Sequence, residues 1–542
     1  MFRPNEDHRQ NTLTDNTLWM DPRIREKLEK SWAPIFYEHV FCKIDEKPFA
    51  VLYGTTGNPN FPINILLSLE YIKHIKQCND LELLEDFNFD YLVNYAVGVR
   101  TLGEKNLAER TLYYFRERIY NYCVENPGKD DLLFGQFIKL LKSFAKEADI
   151  QLDKQRTDTT MFMSNIKKAG RISLAYDVLV KAVKAIPEAN MPETLFNVLM
   201  PNFKTDVLYH TKSQDGDSKL SMLLNLCQEA LTVLESELDM LNSDEVRIVK
   251  RFLSEQALTD EQNEKLIPKS KKDISPNSLQ SAYDEDATFR RKAEVSQSGY
   301  ALEISETCNK TNSFQLITDY AVKPNTTSDV EIFAGRIKTI NDNTGCTDMY
   351  VDGGFHSDKV YQTAEENRIE IHLTNMSGTE PSKKLPITEF NIDEAQNVII
   401  KCPCGYDPIR TAINKNQSIA HFSLEACSKC ALYDKCHSKI QRKDCVVRIN
   451  IKAINAGRER ELMKEYRVEN TSYRAGIEGS NSALKRKGLE KLDVRGITKS
   501  TIVCGLKTTV QNIKRFIKFS LGGYKPKQPK RTFCGTIAPN FI

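Results

Sequence analysis

Between Tyr473 and Gly496 the first acid, Glu478, stands among Arg474, Lys485, Arg486, Lys487, Lys491 and Arg495. On a helix, Glu478, Asn481, Ser482 and Lys485 fall at i, i+3, i+4 and i+7 and share a face. Such a face can set a carboxylate oxygen on a divalent metal while the cations hold a phosphate backbone. A carboxylate needs partners for that work. Asp352, in Thr347-Asp-Met-Tyr-Val-Asp352-Gly353-Gly354, follows the alternating Met349 and Val351 and precedes a glycine pair, the pattern of a short strand ending in a tight turn. Asp158 lies in another short β-prone run, Thr157-Asp158-Thr159-Thr160. Three acids on separate elements supply hard oxygens that suit Mg²⁺ or Mn²⁺. Two such ions about 3.5–4 Å apart activate a water or 3′-hydroxyl and stabilise the leaving oxygen of an in-line phosphodiester displacement. No histidine base or cysteine nucleophile is required.

The elements that must position these acids are partly readable. After Tyr176 about a hundred residues are largely helical in pattern, clearest from Leu220 to Leu241, where Leu220, Leu224, Cys227, Leu231, Leu234, Leu238 and Leu241 repeat at alternating spacings of four and three. Such a stripe is a core face or a dimer contact. The polar run 268–278 closes the block. Asp158 and Asp352 are 194 positions apart, too far for a plain loop, so a helical insertion must separate them. From Gly299 the period falls to two: Tyr300, Leu302 and Ile304, then Phe314, Leu316 and Ile317, which predicts a hairpin. A helix from Asp329 to Ile340, the strand ending at Asp352, a helix from Ser357 to Asn367 and a strand through Ile369, Ile371 and Leu373 follow. Short helices around Ile63–Ile72, Leu81–Phe87 and Ala108–Cys123 precede everything. They fit a helix-turn-helix-like DNA reader or a plain helical packing domain equally well.

A chain of 542 residues holds two to four domains with sizeable cores. The formal charge of +3 is almost balanced, but from Lys485 to Arg531 there are 14 Lys/Arg against Glu490 and Asp493, a net of +12. That is a local polyanion footprint, with a solubilising tail as the plainer alternative. The beginning MFRPNEDHRQ has no apolar h-region, and no run of about 18 uncharged apolar residues occurs, so a soluble, intracellular protein without membrane segments is expected. Fourteen cysteines are dilute except for six between Cys402 and Cys445, which points to a reducing compartment and one metal-site candidate. Cys402, Cys427, Cys430 and Cys436 are the best four for a structural Zn²⁺ tetrahedron, with Cys404 or His437 as substitutes; packing thiols without metal are the alternative.

Taken together, the ordered blocks TDTTMFMSNIKKAGRISL (157–174), DEDATFRRK (284–292), GYALEISETC (299–308), LITDYAVKPNTTSD (316–329), MYVDGGFHSDKV (349–360), RAGIEGSNSALKRKGLEKLDVRG (474–496) and NIKRF (512–516) resemble the DDE transposases of bacterial insertion sequences, close to the eleven-eighty-two family. Arg474, Glu478 and Lys485 also fit the R-x3-E-x6-K part of the broader signature, although position 471 is Thr where that signature carries Tyr, and Tyr473 is out of register. The resemblance covers roughly residues 45–520. It implies an α/β, ribonuclease H-like catalytic core with a helical N-terminal domain, a helical insertion and a Cys-rich insertion. In these terms residues 1–150 are the helical DNA-binding domain, 151–176 the first part of the core, 177–276 the helical insertion and 277–376 the middle of the core. Residues 377–445 are the Cys-rich insertion, 446–522 the final core helix with the basic region, and 523–542 a tail. The implied activity is transposition: binding terminal inverted repeats, cleaving 3′ ends with two Mg²⁺ or Mn²⁺ ions on Asp158, Asp352 and Glu478, and joining those ends to target DNA. Arg474, Lys485, Arg486, Lys487, Lys491 and Arg495 would bind double-stranded DNA. A homo-oligomer, a dimer in the simplest case, is implied by the need to pair two ends, and a bacterial cytoplasmic, nucleoid-associated location goes with it. A transposase-derived DNA-binding protein without catalysis, or a metal nuclease of the same fold, are the rival readings.

Overall fold

The computed structural model describes residues 1–10, 13–128, 131–167, 169–209, 215–260, 265–292, 295–374, 384–393, 395–414 and 416–523. The expected tail, apart from Gly523, and the cations of 525–531 lie outside the described residues. The chain forms two compact units: Met1–Leu152 with Thr159–Ser328 and Gly479–Ile542, and Asp153–Asp158 with Asp329–Glu478. Both combine helices with sheets, so the architecture is mixed α/β.

In the first unit the helix Ile497–Ser520 packs on the helices Ile63–Lys76 and Leu132–Glu147. Its small and apolar residues face inward: Phe516 stacks on Phe144 at 4.5 Å between ring centres, and Val510 and Ile513 are buried. The strands here are the second half of β1 (Lys154–Met163), then β2 (Thr288–Lys292), β3 (Val295–Thr307) and β4 (Ile317–Pro324), with β2–β3 and β3–β4 antiparallel. Gly299 of β3 lies so close to β1 that a Cβ there would stand 2.3 Å from the Phe162 carbonyl oxygen. The expected hairpin exists, but its return strand starts at Ile317. Phe314 and Leu316 instead belong to the connection, because Leu316 is spent on closing it: its N–H donates to Thr307 Oγ1 at 2.9 Å and its carbonyl accepts from Thr307 N–H at 2.9 Å.

The insertion of this unit packs the helices Arg171–Val183, Gly216–Ser236 and Asp244–Gln256 around one apolar core. Leu220, Leu224, Cys227, Leu231 and Leu234 of the predicted stripe lie in that core. The helix ends at Ser236, so the stripe stops early and Leu238 is 86% exposed. Glu237 has extended backbone, and its carboxylate accepts from the Asn190 amide, which turns the chain away.

In the second unit the first half of β1 pairs in parallel with β5 (Asp348–Val351), and β5 pairs in parallel with β6 (Glu370–Leu373). Parallel strands are covered on both faces and read as apolar runs, which Met349-Tyr350-Val351 does. Helices Asp329–Thr344 and Asp358–Glu366 supply the cover through Phe333, Ile337, Ile340, Val360 and Ala364. A four-stranded antiparallel sheet follows, in the order β7 (Arg410–Asn414), β8 (Gln417–Phe422), β10 (Cys445–Asn450), β9 (Ser438–Ile440). The helix Ile451–Arg474 then leads to the last acid. Among the described residues no helix is long and apolar enough to cross a membrane.

Candidate active site

The parallel register pairs Lys154 with Asp348 and Arg156 with Tyr350. Two places further along lie Asp158, within β1, and Asp352, just past the end of β5. Each lies two residues past the pair Arg156↔Tyr350 and keeps that pair's face, so the two carboxylates are on one side of the sheet. Asp352 ends its strand as an N-cap, with Oδ1 accepting from the Gly354 N–H at 2.8 Å.

Glu478 arrives from elsewhere in the sequence. The helix Ile451–Arg474 ends at a break over Ala475 and Gly476, and a second helix, Ile477–Leu484, begins immediately after it. Arg156 fixes that break by donating from Nη1 to the Tyr473 carbonyl at 2.6 Å. A Cβ at Gly476 would sit 2.2 Å from the same guanidinium, so only glycine allows the approach. Tyr473 stacks on Tyr350, and Tyr350 on His372, with ring centres 4.5 and 4.6 Å apart. Tyr473 is therefore a packing residue that holds its neighbour Arg474 in place.

Arg474 lies between the three acids. Its Nη2 is 3.6 Å from Asp158 Oδ1 and 3.5 Å from Asp352 Oδ2, and its Nη1 is 3.5 Å from Glu478 Oε1. Only 17% of the Arg474 side chain is exposed, against 71% for Glu478. Three anionic oxygens around one delocalised cation is a site built for positive charge. Divalent ions fit this donor set, which is all carboxylate oxygen.

In the first unit, a buried network holds the helix Ile477–Leu484 beyond Glu478. Ser480 Oγ donates to Glu306 Oε2 at 2.6 Å, and Arg515 donates to Glu306 Oε2 at 3.1 Å and to Ser480 Oγ at 2.5 Å. The predicted helical face divides: Asn481 is buried, whereas Glu478 and Ser482 are exposed and Lys485 is half-exposed. Lys487 and Gly488 leave helical geometry. Lys487 turns inward to donate to Gln511 Oε1, and burial, with Lys514 and Lys507 nearby, lowers its pKa to about 8. Arg486 and Lys491 are exposed. Lys491 sits in the segment Glu490–Leu492, which binds the end of β1 through Met163 N–H to Glu490 O at 2.9 Å and Leu492 N–H to Met163 O at 3.0 Å. Arg495 donates to the Asn165 carbonyl at 2.9 Å and covers the Tyr283 ring.

The cysteines Cys402, Cys404, Cys427, Cys430 and Cys436 line one small pocket against Phe422 and Val447. Cys404, rather than Cys402, pairs with Cys430, at 3.0 Å between sulfurs, and this contact pushes the Cys404 thiol up to about 11. Burial and the neighbouring Cys445 push Cys427 up to about 12. His437 Nε2 bonds the Leu385 carbonyl at 2.8 Å. A second group was not foreseen. Asp348, Glu370 and His372 bring ligand atoms within 4.8 Å of one another on β5 and β6, with His372 Nε2 2.9 Å from Asp348 Oδ1. Their shared signal is positional, through the register Asp348↔Glu370 and Tyr350↔His372, and single-strand patterns do not carry it.

Residues 401–517 match the family described as transposase DDE domain. This segment contains Arg474, Glu478, Lys485 and the basic residues to Arg515, and it lies C-terminal to Asp158 and Asp352. The match supports a DDE transposase, an enzyme of the transposase and nuclease kind, and implies DNA as a partner. No curated protein and no solved structure matched the chain.

Proposed function

We propose that the chain is a DNA transposase of insertion-sequence type, resembling the eleven-eighty-two family, which cleaves the 3′ ends of its element and joins them to target DNA. The observation that carries this reading is the convergence of Asp158, Asp352 and Glu478 on the Arg474 guanidinium, each within 3.6 Å. Within a ribonuclease H-like core these three carboxylates would hold Mg²⁺ or Mn²⁺, which supply activation of the attacking oxygen and stabilisation of the leaving oxygen. Asp158, within β1, and Asp352, just past β5, define one side of the centre. Glu478, the most exposed of the three, closes the other side when the scissile phosphate is in place. Arg474 offsets part of the acids' charge in the resting protein and stays beside them to meet phosphate charge.

Lys485, Arg486, Lys491 and Arg495, in the first unit, supply phosphate contacts to DNA, and Lys487 supports them from inside. The helical N-terminal region recognises the terminal repeats, and the cysteine pocket holds one structural Zn²⁺ that braces the region between β6 and the Glu478 helix. A homodimer pairs the two ends. The test is a reaction with a duplex carrying the inverted repeats that flank the gene, in Mg²⁺ or Mn²⁺, read for both cleavage and joined products. Joined products identify a transposase. Cleavage alone indicates a nuclease, and binding without either indicates a DNA-binding derivative.

A further inference from the structure

A cavity of about 850 Å³ opens inside the first unit, between the helices Ile63–Lys76 and Glu109–Glu125 and the segment from Lys487 to Lys507. That size is typical of a small-molecule site. Its walls carry six Lys/Arg against Glu70, Glu117 and Asp493. Two of the cations are compensated: Arg116 pairs with Glu70 and, bidentately, with Asp80, all at 2.7 Å, and Lys73 pairs with Asp80 at 2.8 Å. Three of the other four have neutral partners, with the Asp493 charge also acting on Lys507. Lys507 donates to the Lys487 carbonyl at 2.6 Å, Lys487 to the Gln511 amide oxygen, and Lys499 lies over the Tyr120 ring at 4.8 Å.

The electrostatics agree with that inventory. Burial, Lys507 and Lys73 hold His74 near a pKa of about 3, and burial lowers Lys507. Lysines gathered in a half-buried wall repel one another unless a multivalent anion joins them. An aromatic ring beside the lysines adds a face on which a base can stack.

We propose that this cavity binds a ligand with closely spaced phosphates, held by Lys487, Lys491, Lys499 and Lys507 with Tyr120 beside them. The phosphates belong either to a nucleoside polyphosphate or to a strand of DNA. The site shares Lys491 with the DNA surface proposed above, but it does not depend on the three acids.

The experiment uses the full-length protein and inorganic tripolyphosphate in isothermal titration at pH 8 without divalent metal, in two buffers of different ionisation enthalpy. Binding at one site per chain is expected, with proton uptake, because an anion beside Lys487 raises its pKa from about 8. Lys499→Ala should weaken tripolyphosphate roughly tenfold, one charge-assisted contact's worth, and Lys507→Met should do the same. Lys499 is exposed, so its variant carries the test if Lys507→Met fails to fold. Displacement at lower concentration by adenosine triphosphate than by a 5′-phosphorylated tetranucleotide assigns the site to a free nucleotide, and the reverse order assigns it to a DNA strand. The absence of binding, or binding unchanged in Lys499→Ala, overturns the proposal. Duplex binding measured alongside keeps that failure separate from failure of the transposase reading.

Discussion

Asp158 of β1 and Asp352 just past β5, 194 residues apart in sequence, meet at the Arg474 guanidinium, which reaches them at 3.6 and 3.5 Å. A guanidinium shared by the acids lowers their mutual repulsion before any metal binds. The consequences can be measured.

Arg474→Gln should lower the thermal stability of metal-free protein by roughly 1–2 kcal/mol, because three acids lose their shared counter-charge and repel. Added Mg²⁺ should then stabilise the variant more than it stabilises the wild type. Melting curves with and without Mg²⁺ measure this, and identical metal responses in the two proteins would count against the role given to Arg474.

Arg515→Met should be costly, about 3–5 kcal/mol in denaturant unfolding, because it leaves the fully buried Glu306 carboxylate without its guanidinium. The double variant Arg515→Met with Glu306→Gln should recover part of the loss. No recovery would mean that the arginine acts mainly by packing.

Much of this arrangement was readable from local pattern. The strand before Asp352, the helices 329–344 and 358–366 and the buried face of Glu109–Glu125 follow from periodicity that each segment carries itself. What pattern cannot carry is pairing. The register that pairs Arg156 with Tyr350, two residues before the two aspartates, and Asp348 with Glu370, exists only between strands. The place of Arg474 was hidden for the same reason: beside Lys485 and Arg486 it reads as one more cation, and only the fold shows that its charge is directed at carboxylates. Leu238 and Phe314 failed differently, because a periodic pattern continued past the residue where side-chain hydrogen bonds turned the chain.

Lys485→Ala should reduce cleavage more than binding, since Lys485 follows Glu478 by two turns and is half-exposed. Lys491→Ala should weaken binding to end DNA and scrambled DNA alike and shrink the slope of log K against log salt by about 0.9, the share of one phosphate contact. Titrations at several salt concentrations decide this. A loss confined to end DNA would show base reading instead.

Purified protein should carry about one zinc per chain. Cys427→Ser combined with Cys430→Ser should remove it and lower the melting temperature, because the metal would tie the Cys402–Cys404 turn to the segment from Cys427 to Cys436. Metal analysis of protein purified without chelator checks this, and a zinc-free, equally stable wild type would leave the thiols as packing residues.

The most direct test of the central claim is cleavage of an end-DNA duplex in Mg²⁺ by Glu478→Gln beside the wild type, with binding to the same duplex measured in parallel. Gln keeps the size of Glu478 at an exposed position while removing its charge, so folding and the basic surface are preserved. Cleavage should fall below detection while binding changes little, and Asp158→Asn and Asp352→Asn should behave alike. Full strand cleavage by the Glu478→Gln protein would contradict the account.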